Sequence, residues 1–200
     1  MAFIFNEEEA LASEASSGGS KVLDSGVYNI TILTASKSVA STGTTGIDWS
    51  LQVEGSKYPN MVYGFWTNKS NGDKIFNLDT LYGLMGVAGL KTLTEYQKEI
   101  EIKDGKKTVT AYKELDNLKC QVAVQKVLDV YNGEVTEKNE IKAFFNTDGQ
   151  TFAESKRSSE PKQKLYYSSK MKDKETPAYK SFALDADEPE AEEESSGSLL

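Results

Sequence analysis

The run Ile47-Asp48-Trp49-Ser50-Leu51-Gln52-Val53-Glu54 decides the fold class. Apolar Ile47, Trp49, Leu51 and Val53 alternate without a break with polar Asp48, Ser50, Gln52 and Glu54. Successive side chains of an extended chain point to opposite faces, so this run reads as a half-buried antiparallel strand with a wet outer face. Upstream, Tyr28, Ile30 and Ile32 alternate with Val27, Asn29 and Thr31, a second strand that is fairly apolar on both faces. A Ser/Thr/Gly-rich stretch, residues 36–46, reads as the loop between them. Downstream, a turn over residues 55–60 containing Pro59 leads to Met61-Val62-Tyr63-Gly64-Phe65-Trp66, a strand with aromatic residues on both faces.

Further out, Leu78, Leu81, Leu84, Met85 and Ala88 fall at helical spacing, with Asn77 or Asp79 as the cap and Gly89 as the stop. Gly83 and Gly86 weaken this helix and would allow close packing on a sheet. Residues 99–103 and 108–112 flank Asp104-Gly105-Lys106-Lys107, a hairpin turn by residue type. Leu118, Cys120, Val122 and Val124 then alternate with Lys119, Gln121, Ala123 and Gln125, and the run continues through Leu128 and Val130 to an Asn132-Gly133 turn. A last strand covers roughly residues 141–145. Beyond Asp148-Gly149 the periodicity fades. The expectation is a mainly β chain, an antiparallel barrel of five to seven strands of the oligonucleotide-binding type, with one plug helix and flexible termini. A β-sandwich fits the same strand count.

Charge divides the chain into four parts. Residues 1–20 carry Glu7, Glu8, Glu9 and Glu14 with no base, and end in Ser16-Ser17-Gly18-Gly19-Ser20, a flexible acidic leader by composition. Residues 21–150 form the barrel-like domain. Residues 151–184 hold eight bases against four acids, a basic extension containing aromatic residues. Residues 185–200 hold Asp185, Asp187, Glu188, Glu190, Glu192, Glu193 and Glu194 with no base, and read as a disordered acidic tail. The net charge of −8 therefore belongs to the ends, since the 23 bases face only 20 of the 31 acids once the eleven terminal acids are set aside. No run approaches the roughly 18 apolar residues of a membrane span, and the acidic N-terminus lacks the basic flank of a signal peptide, so a cytoplasmic location with no membrane partner is expected.

Composition restricts the chemistry. The chain has no histidine and one cysteine, Cys120, which removes Ser-His and Cys-His pairs, a disulfide and a thiolate zinc site. Catalysis would have to rest on carboxylates, lysines and a hard metal. Glu101-Ile102-Lys103 has the Glu-x-Lys spacing of Mg²⁺-dependent nucleases, but the same spacing recurs at Glu140-Ile141-Lys142 in a chain rich in both residues. There is no phosphate-binding loop, and Gly83, Gly86 and Gly89 lie on the helix and not at its N-terminus. The reading is a binding protein, not an enzyme, with no cofactor and no metal.

Single-stranded nucleic acid is held by lysines along its phosphates and by rings on which bases stack. The candidates are Tyr63, Trp66, Lys69 and Lys74 on and just after the third strand, and Lys103, Lys106, Lys107, Tyr112 and Lys113 around the hairpin. Because both faces of strand 61–66 carry aromatics, at least one ring there is expected outside the core. The only arginine is Arg157, so the bidentate guanine reader of duplex recognition is scarce.

Met1-Ala2-Phe3-Ile4-Phe5-Asn6, Ser25-Gly26-Val27-Tyr28-Asn29-Ile30-Thr31-Ile32, the helix ending Gly86-Val87-Ala88-Gly89-Leu90, the Tyr131-Asn132-Gly133 turn and Lys138-Asn139-Glu140-Ile141-Lys142-Ala143-Phe144-Phe145 together resemble phage-encoded single-stranded-DNA-binding proteins. The resemblance spans roughly residues 1–150. It implies an oligonucleotide-binding fold that coats single strands, without sequence specificity, during phage DNA replication or recombination in an infected bacterial cell. The acidic end is similar to the C-terminal tails of such proteins, which compete with DNA and recruit replisome or recombination partners. Those tails finish in an aromatic residue, whereas this one finishes in Leu199-Leu200. A homo-oligomer is compatible with the resemblance. The rival readings are a β-sandwich phage accessory or structural protein with no nucleic-acid role, and the Mg²⁺-dependent nuclease.

Overall fold

The computed structural model describes residues 22–56, 61–75, 77–102 and 105–187, and of 61–63 and 185–187 the backbone alone. In chain order these form β1 (Gly26–Val39), β2 (Thr45–Val53), β3 (Met61–Asn68), α1 (Asn77–Val87), β4 (Glu95–Ile102), β5 (Gly105–Tyr112), a 3-10 turn (Lys113–Leu115), β6 (Leu118–Tyr131), β7 (Glu134–Phe145), α2 (Phe152–Lys156), α3 (Lys162–Lys170), β8 (Lys174–Glu175) and α4 (Pro177–Asp187). The leader 1–20 and residues 188–200 lie outside the described residues.

The eight strands make one connected sheet, antiparallel except for the short β6–β8 pairing. β1 organises it. One edge of β1 pairs with β2 from Ile30 to Val39, while the other pairs with β6 over Gly26–Ile32 and then with β5 at Ser36. The change of partner coincides with a register shift between Ile32 and Thr34, the signature of a bulge that bends and twists a strand. Ile32 and Ala35 can then both face the interior although they are three residues apart, and both are fully buried.

The bent sheet wraps a core to which Ile30, Ile32, Trp49, Leu51, Phe65, Val122, Val124, Ile141 and Phe144 contribute. Trp49 is its largest member, 1% exposed, with its ring centroid 5.4 Å from Phe65 and 5.9 Å from Phe144. Side chains of this kind each contribute about 1.5–3 kcal/mol when removed from water. β2 and β7 thus face each other across the interior, but no backbone ladder joins β3 to β7 among the described residues, so the sheet is not closed by hydrogen bonds.

α1 covers the same core with Leu78, Leu81 and Leu84. Asn77 is its first residue and Asp79 lies in its first turn, where the carboxylate complements the helix dipole, so neither has the cap position expected for it. Its end is as the sequence requires. Gly89 takes φ +68°, its N–H bonds the Gly86 carbonyl, and the Leu90 N–H reaches back to Met85, the paired bonds of a Schellman stop. Gly86 packs not on the sheet but under α2, where the Phe152 ring occupies the space a Cβ would need.

Further expectations are corrected. The loop 36–46 is shorter, because Ser36, Lys37 and Ser38 continue β1 opposite Asp48, Ile47 and Gly46, leaving a turn at residues 40–44. Lys106 and Lys107 belong to β5, opposite Glu101 and Ile100, and not to a turn. β7 starts at Glu134, directly after Asn132 and Gly133, both at positive φ as a tight hairpin turn needs, and is polar at its outer end. Residues 151–187, expected to lack periodicity, contain three helices and β8. Each helix has eleven residues or fewer, too short to show clear helical periodicity, and they dock on the sheet: Thr176 bonds Leu128 and Asp129, and Lys174 pairs with Glu140. α4 continues through Asp187, so helical backbone overlaps the start of the expected acidic tail. Of the expected turn at 55–60, residues 57–60 lie outside the described residues. Among the described residues no helix is long and apolar enough to cross a membrane.

Candidate nucleic-acid interface

Alternation puts small and polar residues on the outer face of β1–β3. Thr34 stands opposite Ser50, Ser36 opposite Asp48 and Ser38 opposite Gly46, while on β3 Gly64 faces Asp48 and Trp66 faces Gly46. The glycines are spatially required: a Cβ at Gly46 would lie 2.9 Å from Cε3 of Trp66, and one at Gly64 would strike the Asp48 carboxylate. Trp66 therefore stands over the Gly46 backbone at one end of an otherwise low surface, 42% exposed. A large ring supported from below and open above is the form a base-stacking platform takes.

The β4–β5 hairpin forms a wall beside this face. Lys98 anchors it, donating to the Leu33 carbonyl at the β1 bulge and pairing with Asp116 at 3.0 Å. Tyr96 donates its hydroxyl to the same Asp116 oxygen, a bond that pushes its pKa up to about 12. A cleft of about 460 Å³ opens between the hairpin and the sheet, lined by Leu33, Ser36, Asp48 and Ser50 below and Ile100 and Ile102 above. Toward the other end of the same face, past the bulge, Asn29, Thr31, Gln52, Lys119 and Gln121 line a second, more polar cleft of about 390 Å³.

The expected site residues separate into groups. Trp66 is exposed, Lys69 follows it in the exposed turn closed by Asp73, and Lys74 lies 5.7 Å from the ring centroid of Tyr82 on α1. Lys107 and Lys113 are exposed and form no ion pair among the described residues. Lys106 is held by Glu99 at 2.6 Å, which neutralises it locally. Tyr112 packs against the core, and burial pushes its hydroxyl pKa up, so it supports the fold more than it offers a free face. Tyr63 stands opposite Trp49 in register, with its side chain outside the described residues, as is Lys103. Of the tail, Asp185 and Asp187 lie on the α4 backbone, and Glu188, Glu190, Glu192, Glu193, Glu194, Leu199 and Leu200 lie outside the described residues.

Sequence reasoning passed over Tyr82, half exposed beside Lys74, and the amides Asn29, Gln52 and Gln121. The amides carried a signal, since each holds a polar position of an alternating strand, but one strand at a time does not show that the three meet.

Among the described residues no group of three or more His, Cys, Asp or Glu gathers as a metal site. Glu101 is exposed on the hairpin, and Glu140 pairs with Lys142 and Lys174, a structural use of its carboxylate. Cys120 is buried, and burial pushes its thiol up to about 12, so it is a packing residue and not a nucleophile. No family model matches the chain, and no curated protein matches it.

Proposed function

We propose that this protein binds single-stranded DNA without a defined target sequence and serves phage DNA replication or recombination in the cytoplasm of an infected bacterial cell. The single observation that carries the reading is Trp66, an exposed ring seated on Gly46 above a face of small residues, with the exposed Lys69 three residues further along the chain. The order of elements supports an open barrel of the oligonucleotide-binding type. A long bent β1 is shared between two sets of partners, a helix follows β3, and Trp49 touches Phe144 across the interior. In this reading the acidic tail occupies the basic surface intermittently. It competes with DNA at the roughly millimolar effective concentration of a tethered segment, and when displaced it contacts replication or recombination enzymes.

Titration with oligo(dT) and with duplex of equal length, at several salt concentrations and with and without Mg²⁺, tests the proposal. Single strands should win, and log K should fall against log salt by about 0.7 for each phosphate neutralised. Equal affinity for duplex, or a salt-independent constant, sinks it, and Mg²⁺-dependent cleavage of the oligonucleotide would favour the nuclease instead. Removing residues 188–200, which leaves α4 intact, should tighten binding several-fold at low salt and less as salt screens the tail. Identical constants at low salt would reduce the tail to a solubility device.

A further inference from the structure

We infer that the polar cleft between β1, β2 and β6 is a base pocket that accepts an amino-bearing nucleobase and disfavours thymine. This rests on the single-strand reading above and adds to it a preference in base composition. The cleft, about 390 Å³, falls within the roughly 300–1,000 Å³ of small-ligand sites. Each of its three amides places one N–H on the protein: Asn29 Nδ2 donates to Glu54 at 2.7 Å, Gln52 Nε2 to the Ser56 carbonyl at 2.8 Å, and Gln121 Nε2 to the Thr147 carbonyl at 3.1 Å. Those bonds hold each amide in one orientation, and the acceptors that set the preference are Gln121 Oε1 and the Glu54 carboxylate.

Gln121 is 7% exposed, and its Oε1 has no hydrogen-bond partner among the described residues. A buried acceptor without a donor is an unfavourable state that a donating ligand relieves. The Glu54 carboxylate, also in the lining, strengthens the preference for donors. The exocyclic amine of cytosine, adenine or guanine supplies such a donor. Thymine offers a single ring N–H flanked by two carbonyl oxygens, which would face Gln121 Oε1 and the Glu54 carboxylate. Lys119, exposed at the rim and without an ion pair among the described residues, is placed to meet the phosphate of the same nucleotide. Gln121 Oε1 and the flexible side chain of Lys164 both lie beside Gly149.

The test is a titration of the full chain with oligo(dC) and oligo(dT) of equal length at one salt concentration. Oligo(dC) should bind roughly tenfold tighter, the discrimination of one base-edge contact. Gln121→Leu should erase the difference and leave oligo(dT) affinity where it was. Gln52→Leu, at a half-buried position, serves the same end if thermal melting shows that the first variant does not fold. Equal, tight binding of both oligonucleotides by the unmodified protein overturns the base pocket while the single-strand reading stands. A preference that survives in the folded variants overturns it as well. No binding of either oligonucleotide fells the single-strand reading, and this inference with it.

Discussion

Trp49 and Trp66 sit on neighbouring strands of one sheet, and their surroundings are opposite. Trp49 lies under the sheet between Phe65 and Phe144, while Trp66 lies above it on the bare backbone of Gly46. One residue type thus does two jobs, and the period-two geometry of the strands separates them. The inner face is built from large rings that exclude water. The outer face is kept low with Gly, Ser and Thr, and among the described residues of β1–β3 Trp66 is the ring that stands clear of it. A face with one raised ring and few bulky neighbours is shaped for something flat and extended to lie along it.

The contrast can be broken most severely from inside. Trp49→Ala should cost about 3–5 kcal/mol of stability, because the ring leaves a cavity that its neighbours cannot fill; a thermal melt within a degree or two of the parent would show that the core assignment is wrong. Trp66→Ala should leave the melt nearly unchanged and weaken single-strand binding by about 1–3 kcal/mol, one stacked base. Unaltered binding would move the platform elsewhere, with Tyr82 the next ring to substitute. Lys107→Ala sharpens the outer face further. It should lower the salt slope by about 0.7 with no effect on folding, while Lys106→Ala, whose ammonium is already held by Glu99, should change the slope less.

The smallest effect concerns the seam between the sheet and the C-terminal helices. The Lys138 ammonium, then the Thr176 hydroxyl and the Val130 N–H, hold the Asp129 carboxyl below its ordinary value. A carboxyl lowered in the folded state adds stability that is complete above the unfolded value of about 4. That contribution is lost as pH falls from there through the folded value. Hydrogen exchange at the Thr176 N–H, bonded to Leu128, should therefore accelerate below about pH 4 ahead of the β1–β2 ladder. Uniform acceleration would mean that Asp129 does not control the seam.

What the sequence disclosed follows from the same physics. Where one face of a strand meets the core, as in Ile47, Trp49 and Leu51, alternation is enforced by burial and can be read directly. The Gly89 stop and the Asn132-Gly133 turn were legible because their backbone conformations favour few residue types. Ser36 to Ser38 and Lys106 to Lys107 were misread because the surface ends of strands are held by backbone pairing, which leaves no mark on side-chain type. The short helices after residue 150 depend on docking contacts and on the Thr151–Glu154 capping box, signals too local to outweigh their charge. At the site, the exposed ring on strand 61–66 was expected, but Tyr112 was not separable from it, since an aromatic beside lysines reads alike whether it faces solvent or core.

The strand shared by both sets of partners also has a history in time. β1 finds β2 within a short hairpin, yet Gly26 pairs with Val124, roughly one hundred residues later in the chain. At about 5–20 residues added per second, the far edge of β1 waits on the order of 5–20 s for its partner to be synthesised. During that interval it presents unpaired N–H and C=O groups, the template on which foreign strands pair, and its closure is the non-local step that slows folding of β-rich chains. The strand that joins the native sheet together is the one a nascent chain must guard longest.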